Sequence, residues 1–147
     1  MKARSQARAA ARLAAVQALY QHEMEATPLA RLLDEFHQHR LGMEIDDATF
    51  ADAEVAFFDD LVKGALARRD EIDTLLSGKL AEGWKLERLD KTMLQVLRAG
   101  AYELMARADV PTGAAIGEYV DVAHAFFDER EAKFVNGVLD AVAKAVR

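Results

Sequence analysis

The sequence predicts an all-α protein, a compact bundle of about seven helices in two helical subdomains. Apolar residues recur at spacings of three and four along nearly the whole chain, and strand-like alternation is nearly absent. The 147 residues fit a single domain, and a chain of this length buries roughly 70% of its unfolded surface. Glycines near residue 80 mark the expected division into halves of about 1–80 and 81–147.

The first helix is expected to extend to about Ala26. Its larger apolar residues follow a four-three-four spacing that defines a packing face: Ala9, Leu13, Val16 and Tyr20. Basic residues at a spacing of four form a second stripe, about 110° around the helix: Arg4, Arg8 and Arg12. Like charges at this spacing disfavour an isolated helix by a few tenths of a kcal/mol per pair. The stripe is therefore costly unless an anion meets it.

The next two helices follow from capping residues and apolar spacing. Thr27 and Pro28 predict the N-cap and first turn of a second helix that runs to about Arg40. The stretch LGMEIDDAT that follows is typical of a loop. A third and longer helix is expected over roughly Phe50 to Leu76, because apolar residues keep the helical spacing throughout.

The second half contains three further helices and a short link. Trp84 and Leu86 anchor a short linking helix, and a deeply buried helix begins at Asp90. Residues 107–111 form a turn, after which Thr112 is expected to cap the next helix. An acidic link, DERE, leads to the last helix.

Composition excludes several classes of protein. There are no cysteines, so disulfides, thiolate metal sites and a cysteine nucleophile are excluded. No apolar run approaches the ~18 residues of a membrane span, and no signal peptide is recognisable; we expect a cytoplasmic protein with no membrane contact. His37 and His39 are two apart and point to different sides of a helix, which does not suit a shared metal. Without a phosphate loop or a nucleophile elbow, we expect no enzyme, no cofactor and no metal site.

Charge is distributed unevenly along the chain. The net charge is −6, but residues 1–22 carry four basic side chains and no acid, which leaves −10 for the other 125 residues. Such an asymmetry is typical of a basic arm on an acidic body, where attraction for phosphates is concentrated at one end. A few basic residues that merely aid solubility would give the same pattern.

The segment KFVNGVLD, residues 133–140, carries the chemistry of an RNA contact. RNA-binding surfaces combine a cation for phosphates, a planar side chain for base stacking and an amide for a base edge. Lys133, Phe134 and Asn136 supply one of each. Core packing explains Phe134 equally well, because valines follow it at spacings of four and eight. Gly137 costs about 1 kcal/mol relative to Ala within a helix, and it would permit close helix packing.

Five segments together resemble the NusB family of bacterial transcription antitermination factors. They are AVQALY at 15–20, LRAGAYEL at 97–104, DVP at 109–111, EYVDVAHAF at 118–126, and KFVNGVLD. The resemblance runs from about Arg8 to Val142. It implies an all-α fold of seven helices in two subdomains, without enzymatic activity.

The resemblance also implies partners. NusB proteins pair with NusE, a protein of the small ribosomal subunit, and the heterodimer binds the boxA element of ribosomal RNA leaders. With other Nus factors it helps RNA polymerase to ignore termination signals. The implied RNA contacts are Arg4, Arg8, Arg12, Lys133, Phe134 and Asn136. The residues implied to face NusE are Tyr20, Met93, Arg98 and Tyr102.

Another class of function fits the same sequence. A helical scaffold that only binds proteins, including a homodimer that buries the arginine stripe against the acidic body, would show the same charge asymmetry. Several NusB proteins dimerise, so a homodimer is compatible with both hypotheses. RNA methyltransferases with a NusB-like domain continue into a far longer catalytic half than 147 residues accommodate.

Overall fold

The computed structural model describes the backbone of residues 2–41 and 48–147 and the side chains of residues 5–41 and 54–147. Within these ranges the chain forms seven α-helices, one 3₁₀ helix and no strand, which confirms the predicted all-α class. The helices are α1 (Lys2–Glu25), α2 (Leu29–His39), α3 (Ala48–Ala67), α4 (Arg69–Ser77), a 3₁₀ helix (Leu86–Arg88), α5 (Lys91–Ala106), α6 (Thr112–Phe126) and α7 (Glu129–Val146).

The chain divides into two compact units, Met1–Gly64 and Ala65–Arg147. The glycines near residue 80, where a boundary was predicted, lie inside the second unit, in the connection between α4 and the 3₁₀ helix. The boundary between the two units lies at residues 64 and 65.

The first unit is built on an alanine-rich face of α1. The buried apolar residues of α1 are mostly small: Ala7, Ala11, Ala14, Ala15, Val16, Ala18 and Leu19. The predicted packing face was wrong in part, since Ala9 and Leu13 are half-buried and Tyr20 is exposed. Small side chains allow close approach between helices but contribute weakly to an apolar pattern. The prediction followed the larger residues Leu13 and Tyr20 and therefore missed the face of α1 that is buried.

Aromatic stacking joins α2 to α3 in the same unit. The rings of Phe36 and Phe58 lie 5.4 Å apart at an angle of 19°, and both side chains are buried. Beside them, His37 Nε2 lies 2.6 Å from Asp59 Oδ1. These contacts fix α2 against the part of α3 that carries Phe57, a residue important to the site described below.

The long helix predicted over residues 50–76 is two helices, separated at Arg68. The backbone there leaves the helical region, with φ −107° and ψ 19°. Arg68 Nε and Nη2 donate to the two carboxylate oxygens of Glu71 at 2.9 and 2.8 Å, and these bonds lower the pKa of the exposed Glu71 carboxyl. Apolar spacing continues on both sides of the break, so the sequence pattern contained no signal for it.

In the second unit, α5 packs against α4, α6 and α7, and every residue from Met93 to Leu104 is buried. The side chain of Asp90 caps α5 as its Oδ1 accepts from the backbone N–H groups of Thr92 and Met93 at 2.8 and 3.2 Å. Gly100 allows the close approach of neighbouring helices: an added Cβ would lie 2.8 Å from Leu139 Cδ1.

Polar contacts connect the helices of this unit. Tyr119 Oη of α6 donates to Glu103 Oε1 of α5 at 2.8 Å, and both side chains are fully buried. The guanidinium of Arg147 donates to the backbone carbonyls of residues 104, 107 and 110 and to Thr112 Oγ1. Thr112 was predicted to cap α6, but Pro111 occupies the N-cap position and Thr112 is the first helical residue.

Candidate functional site

The arginine stripe of α1 is held against an aromatic ring of α3. The guanidinium carbon of Arg8 lies 4.7 Å from the centroid of the Phe57 ring, and that of Arg12 lies 5.1 Å from it. Arg12 is only 3% exposed, whereas Arg8 is half-buried. The side chain of Arg4 lies outside the described residues. Of the two described arginines, Arg8 therefore offers more surface to a phosphate.

The KFVNGVLD segment lies within α7 and presents a polar edge to solvent. Lys133, Asn136 and Gly137 are exposed, while Val135 and Leu139 are buried on the opposite side. Asn and Gly are thus tolerated because they stand on the solvent face, where packing does not select the residue type. A Cβ added at Gly137 would meet no described heavy atom within 4 Å. The alternative that Gly137 permits close helix packing has no support here; that role belongs to Gly100.

Phe134 occupies an intermediate position between core and surface. Its side chain is half-buried, and its ring centroid lies 6.2 Å from that of Trp84 at an interplanar angle of 34°. Trp84 itself is 58% exposed. The two rings form an aromatic pair at the surface of the second unit, and neither ring is closed off inside the core.

A cavity of about 410 Å³ adjoins this aromatic pair. Its volume lies within the 300–1,000 Å³ typical of small-ligand sites. Aromatic side chains, arginines and carboxylates contribute to its lining, which includes Trp84, Phe134, Phe127, Arg88, Arg130 and Glu131. Flat apolar faces beside cationic groups suit a planar base attached to a phosphate.

The sequence reasoning missed most of this cavity. Trp84 was interpreted only as the anchor of a short helix, and neither Arg88 nor Arg130 was singled out. One signal was available: a lone Trp that directly follows Gly83 in a connecting segment is poorly placed for a helix core.

Glu131 Oε2 is buried and has no hydrogen-bond partner among the described atoms.

The residues predicted to face a protein partner differ greatly in exposure. Tyr20 is 39% exposed, and Met24, one turn further along α1, is 53% exposed. Met93 and Tyr102 are 5% and 7% exposed, and Arg98 is 9% exposed. These last three offer little surface for direct contact, so α1 supplies the more accessible apolar pair.

Arg98 is held by an ion pair within the second unit. Its Nε and Nη2 donate to the two carboxylate oxygens of Asp73 at 2.9 and 2.8 Å. Such two-point pairing fixes both the position and the orientation of a guanidinium. Arg98 thereby connects α5 to α4.

The sequence model of the NusB family matches residues 9–144, nearly the whole chain. The chain belongs to the NusB family. The transcription antitermination protein NusB of Novosphingobium aromaticivorans is 77% identical over 141 residues, which cover 96% of this chain and 95% of that protein. The resemblance drawn from the five sequence segments is therefore confirmed.

Solved NusB structures have the same fold. A structure of T. maritima NusB matches with a TM-score of 0.77 and 33% identity, covering 93% of this chain and 90% of that one. The crystal structure of antitermination factors NusB and NusE in complex with dsRNA matches with a TM-score of 0.78 and 27% identity, covering 95% and 98% of the two chains.

The family is one of transcription antitermination proteins, a regulatory class. Among the residues that the structure describes, no helix is both long and apolar enough to cross a membrane. The same residues contain no cluster of three or more His, Cys, Asp or Glu side chains that could hold a metal ion.

Proposed function

We propose that this protein is a cytoplasmic transcription antitermination factor that, together with NusE, binds boxA RNA in ribosomal RNA leader transcripts. In this role it acts with other Nus factors on RNA polymerase and supports processive ribosomal RNA transcription. The observation that carries the proposal is the exposed edge of α7 beside the aromatic cavity, in a chain that matches the NusB family over residues 9–144.

In the second unit, the α7 edge binds single-stranded RNA. Lys133 attracts a phosphate, and Asn136 pairs with a base edge through its amide. Phe134 and Trp84 stack a base, since stacking tolerates any base and needs only an accessible ring face. The open space at Gly137 lets the sugar-phosphate chain approach the backbone of α7 closely.

In the first unit, the arginine stripe attracts phosphates. Arg8 and Arg4 make the contacts, and Arg12 supports them from its buried position beside Phe57. Tyr20 and Met24 form the apolar surface for NusE. In the second unit, Met93, Arg98 and Tyr102 are buried, so they stabilise α5 and do not themselves contact NusE.

A binding titration tests the proposal. The protein alone and its mixture with NusE are titrated with boxA RNA and with a scrambled RNA of equal length, over a range of salt concentrations. We expect boxA to be preferred and log affinity to fall linearly with log salt. If neither the protein nor the mixture distinguishes boxA from the scrambled RNA, the proposed function is wrong.

A charge-matched pair of variants locates the contact. Lys133→Ala should reduce the slope of log affinity against log salt by about one, the effect of one lost phosphate contact. Lys144→Ala is the control, since Lys144 lies about 16 Å further along α7 and pairs with Asp140 at 3.1 Å. Equal effects of the two variants would mean that only general charge attraction is at work.

A further inference from the structure

The cavity beside Trp84 contains a buried acceptor that no group in the described part of the chain satisfies. Glu131 lines this cavity, and its Oε2 is buried without a hydrogen-bond partner among the described atoms. An ionised carboxylate can only accept hydrogen bonds, and a buried acceptor without a donor lowers stability. A ligand that brings N–H donors to this carboxylate would remove that deficit.

An ordinary structural role for Glu131 has no support at this oxygen. Glu131 lies in the first turn of α7, where a glutamate can reach back to a backbone N–H group at the start of the helix. Oε2 accepts no such bond. Asp90, which also lines the cavity, differs because its Oδ1 accepts from two backbone N–H groups at the start of α5. Glu131 is therefore the cavity carboxylate with an acceptor still to be satisfied.

The other groups that line the cavity favour a planar ligand with an attached anion. The ring centroids of Trp84 and Phe134 lie 6.2 Å apart, and Phe127 adds a third ring. Such ring faces bind planar bases by stacking. Arg88 and Arg130 are exposed beside the same cavity. Their charges attract a phosphate and disfavour a cationic ligand.

Among the four RNA bases, guanine best matches a carboxylate. Its N1–H and its N2 amino group are adjacent donors on one edge of the base, so they can meet both oxygens of a carboxylate at once. Adenine and cytosine place an acceptor nitrogen beside their amino group, and uracil places its N–H between two carbonyl oxygens. The terminal torsion of a glutamate is broad, so the carboxylate of Glu131 can turn toward the base.

We propose that this cavity is a guanine subsite for RNA, in which Glu131 selects the base by accepting hydrogen bonds from its N1–H and N2 amino groups. Trp84 and Phe134 stack the guanine, and the two arginines attract its phosphate. The inference rests on the proposed function and deepens it. It names a base that the protein reads beside the α7 edge and the residue that reads it.

The single tryptophan makes the cavity directly observable. Trp84 is the one Trp of the chain and is 58% exposed, so stacking of a base should change its fluorescence. The free protein is titrated at low salt, which strengthens phosphate contacts, with short oligouridines that carry one central guanosine, inosine or adenosine. Inosine lacks only the N2 amino group of guanosine. Anisotropy of the same labelled oligonucleotides gives affinities for the complex with NusE.

We expect the guanosine oligonucleotide to bind more tightly than the inosine one by roughly tenfold, the effect of one hydrogen bond to a charged group. Glu131→Gln should abolish this preference, because an amide can pair with N1–H and O6, which both bases share. Glu129→Gln is the matched control: it removes the same charge two residues away, from a side chain that is 72% exposed, and should keep the preference. Trp84→Leu should weaken all three oligonucleotides alike, since stacking tolerates any base.

Several results would overturn the inference. They are equal binding of guanosine and inosine by the wild type, a preference that survives Glu131→Gln, and a preference without any change in Trp84 fluorescence. Displacement of the oligonucleotide by free guanosine monophosphate at a comparable concentration would assign the site to a free nucleotide and not to RNA. Should Glu131→Gln not fold, NMR of the wild type decides. The carboxyl carbon of Glu131 should shift more with guanosine than with inosine, and equal shifts would contradict the proposed contact.

Comparison with boxA separates the two proposals. If the wild type with NusE distinguishes guanosine from inosine but does not prefer boxA to a scrambled RNA, the proposed function fails and the guanine subsite stands. If it prefers boxA but does not distinguish guanosine from inosine, only the subsite fails.

Discussion

The same substitution at two glycines should have opposite effects on stability. Gly137 stands inside α7, is exposed, and would direct a new Cβ into open space. Gly137→Ala should therefore gain the full difference in helix propensity, about 1 kcal/mol. For a chain of this size, that gain raises the melting temperature by about 2 to 4 °C. Thermal denaturation followed by circular dichroism measures the change.

The affinity of Gly137→Ala for RNA should fall. If RNA approaches the backbone at Gly137, the added methyl group occupies space that the sugar-phosphate chain needs, so affinity for boxA falls although the protein is more stable. A variant that is more stable and binds RNA unchanged would refute the role given to Gly137. A less stable variant would refute the description of this position as open.

Gly100→Ala is the matched control in α5. Its Cβ would lie 2.8 and 3.1 Å from the two terminal carbons of Leu139 and 3.3 Å from Tyr119 Cδ2. Overpacking of a core costs about 1 to 3 kcal/mol, which offsets the gain in propensity of about 1 kcal/mol. We expect a net loss of about 0 to 2 kcal/mol. Stabilisation equal to that of Gly137→Ala would contradict the close packing described for α5.

Three further substitutions have defined outcomes. Phe134→Ala should lower the free energy of unfolding by less than the roughly 3 to 5 kcal/mol of a fully buried Phe, because the ring is half-buried. It should also weaken RNA binding by about 1 to 3 kcal/mol. Unchanged melting and unchanged binding would refute both roles. Asp73→Ala removes the carboxylate that accepts two hydrogen bonds from Arg98. It should lower the free energy of unfolding by about 1 to 3 kcal/mol in a denaturant titration. A loss near zero would mean that water replaces the pair. Arg147→Ala removes donors to three backbone carbonyls and should cost about 1 to 3 kcal/mol, with faster amide exchange at the end of α7; unchanged exchange there would contradict the anchoring.

Periodicity predicted the helices well because most of them bury a stripe of large apolar residues. The start of α5 at Asp90 was predicted, and the structure supplies the reason in the bonds that its carboxylate accepts. The break at Arg68 was not predicted, because one backbone deviation leaves the apolar spacing intact. Arg68 is not one of the residue types, such as Gly or Pro, that usually mark a helix break in a sequence.

The candidate site was predicted less completely than the fold. Lys133 and Asn136 are exposed, as the binding role predicted for them requires. Sequence could not reveal that Arg12 is buried beside Phe57, since the two residues are far apart in the chain and the contact depends on how α1 meets α3. The exposure of Trp84 likewise depends on tertiary structure, because a Trp is usually found largely inside a protein.

The buried hydrogen bond between Tyr119 and Glu103 determines the axial register of two helices. Apolar contacts are non-directional, so α6 sliding along α5 by one turn, about 5.4 Å, would still bury alanine and valine side chains. That slide would separate Tyr119 Oη from Glu103 Oε1, which lie 2.8 Å apart in the structure. Loss of a hydrogen bond between two buried polar groups lowers the free energy of unfolding. The bond therefore favours the observed alignment of α5 and α6. Because α7 packs on both α5 and α6, an interior polar contact sets where the exposed edge with Lys133 and Asn136 stands.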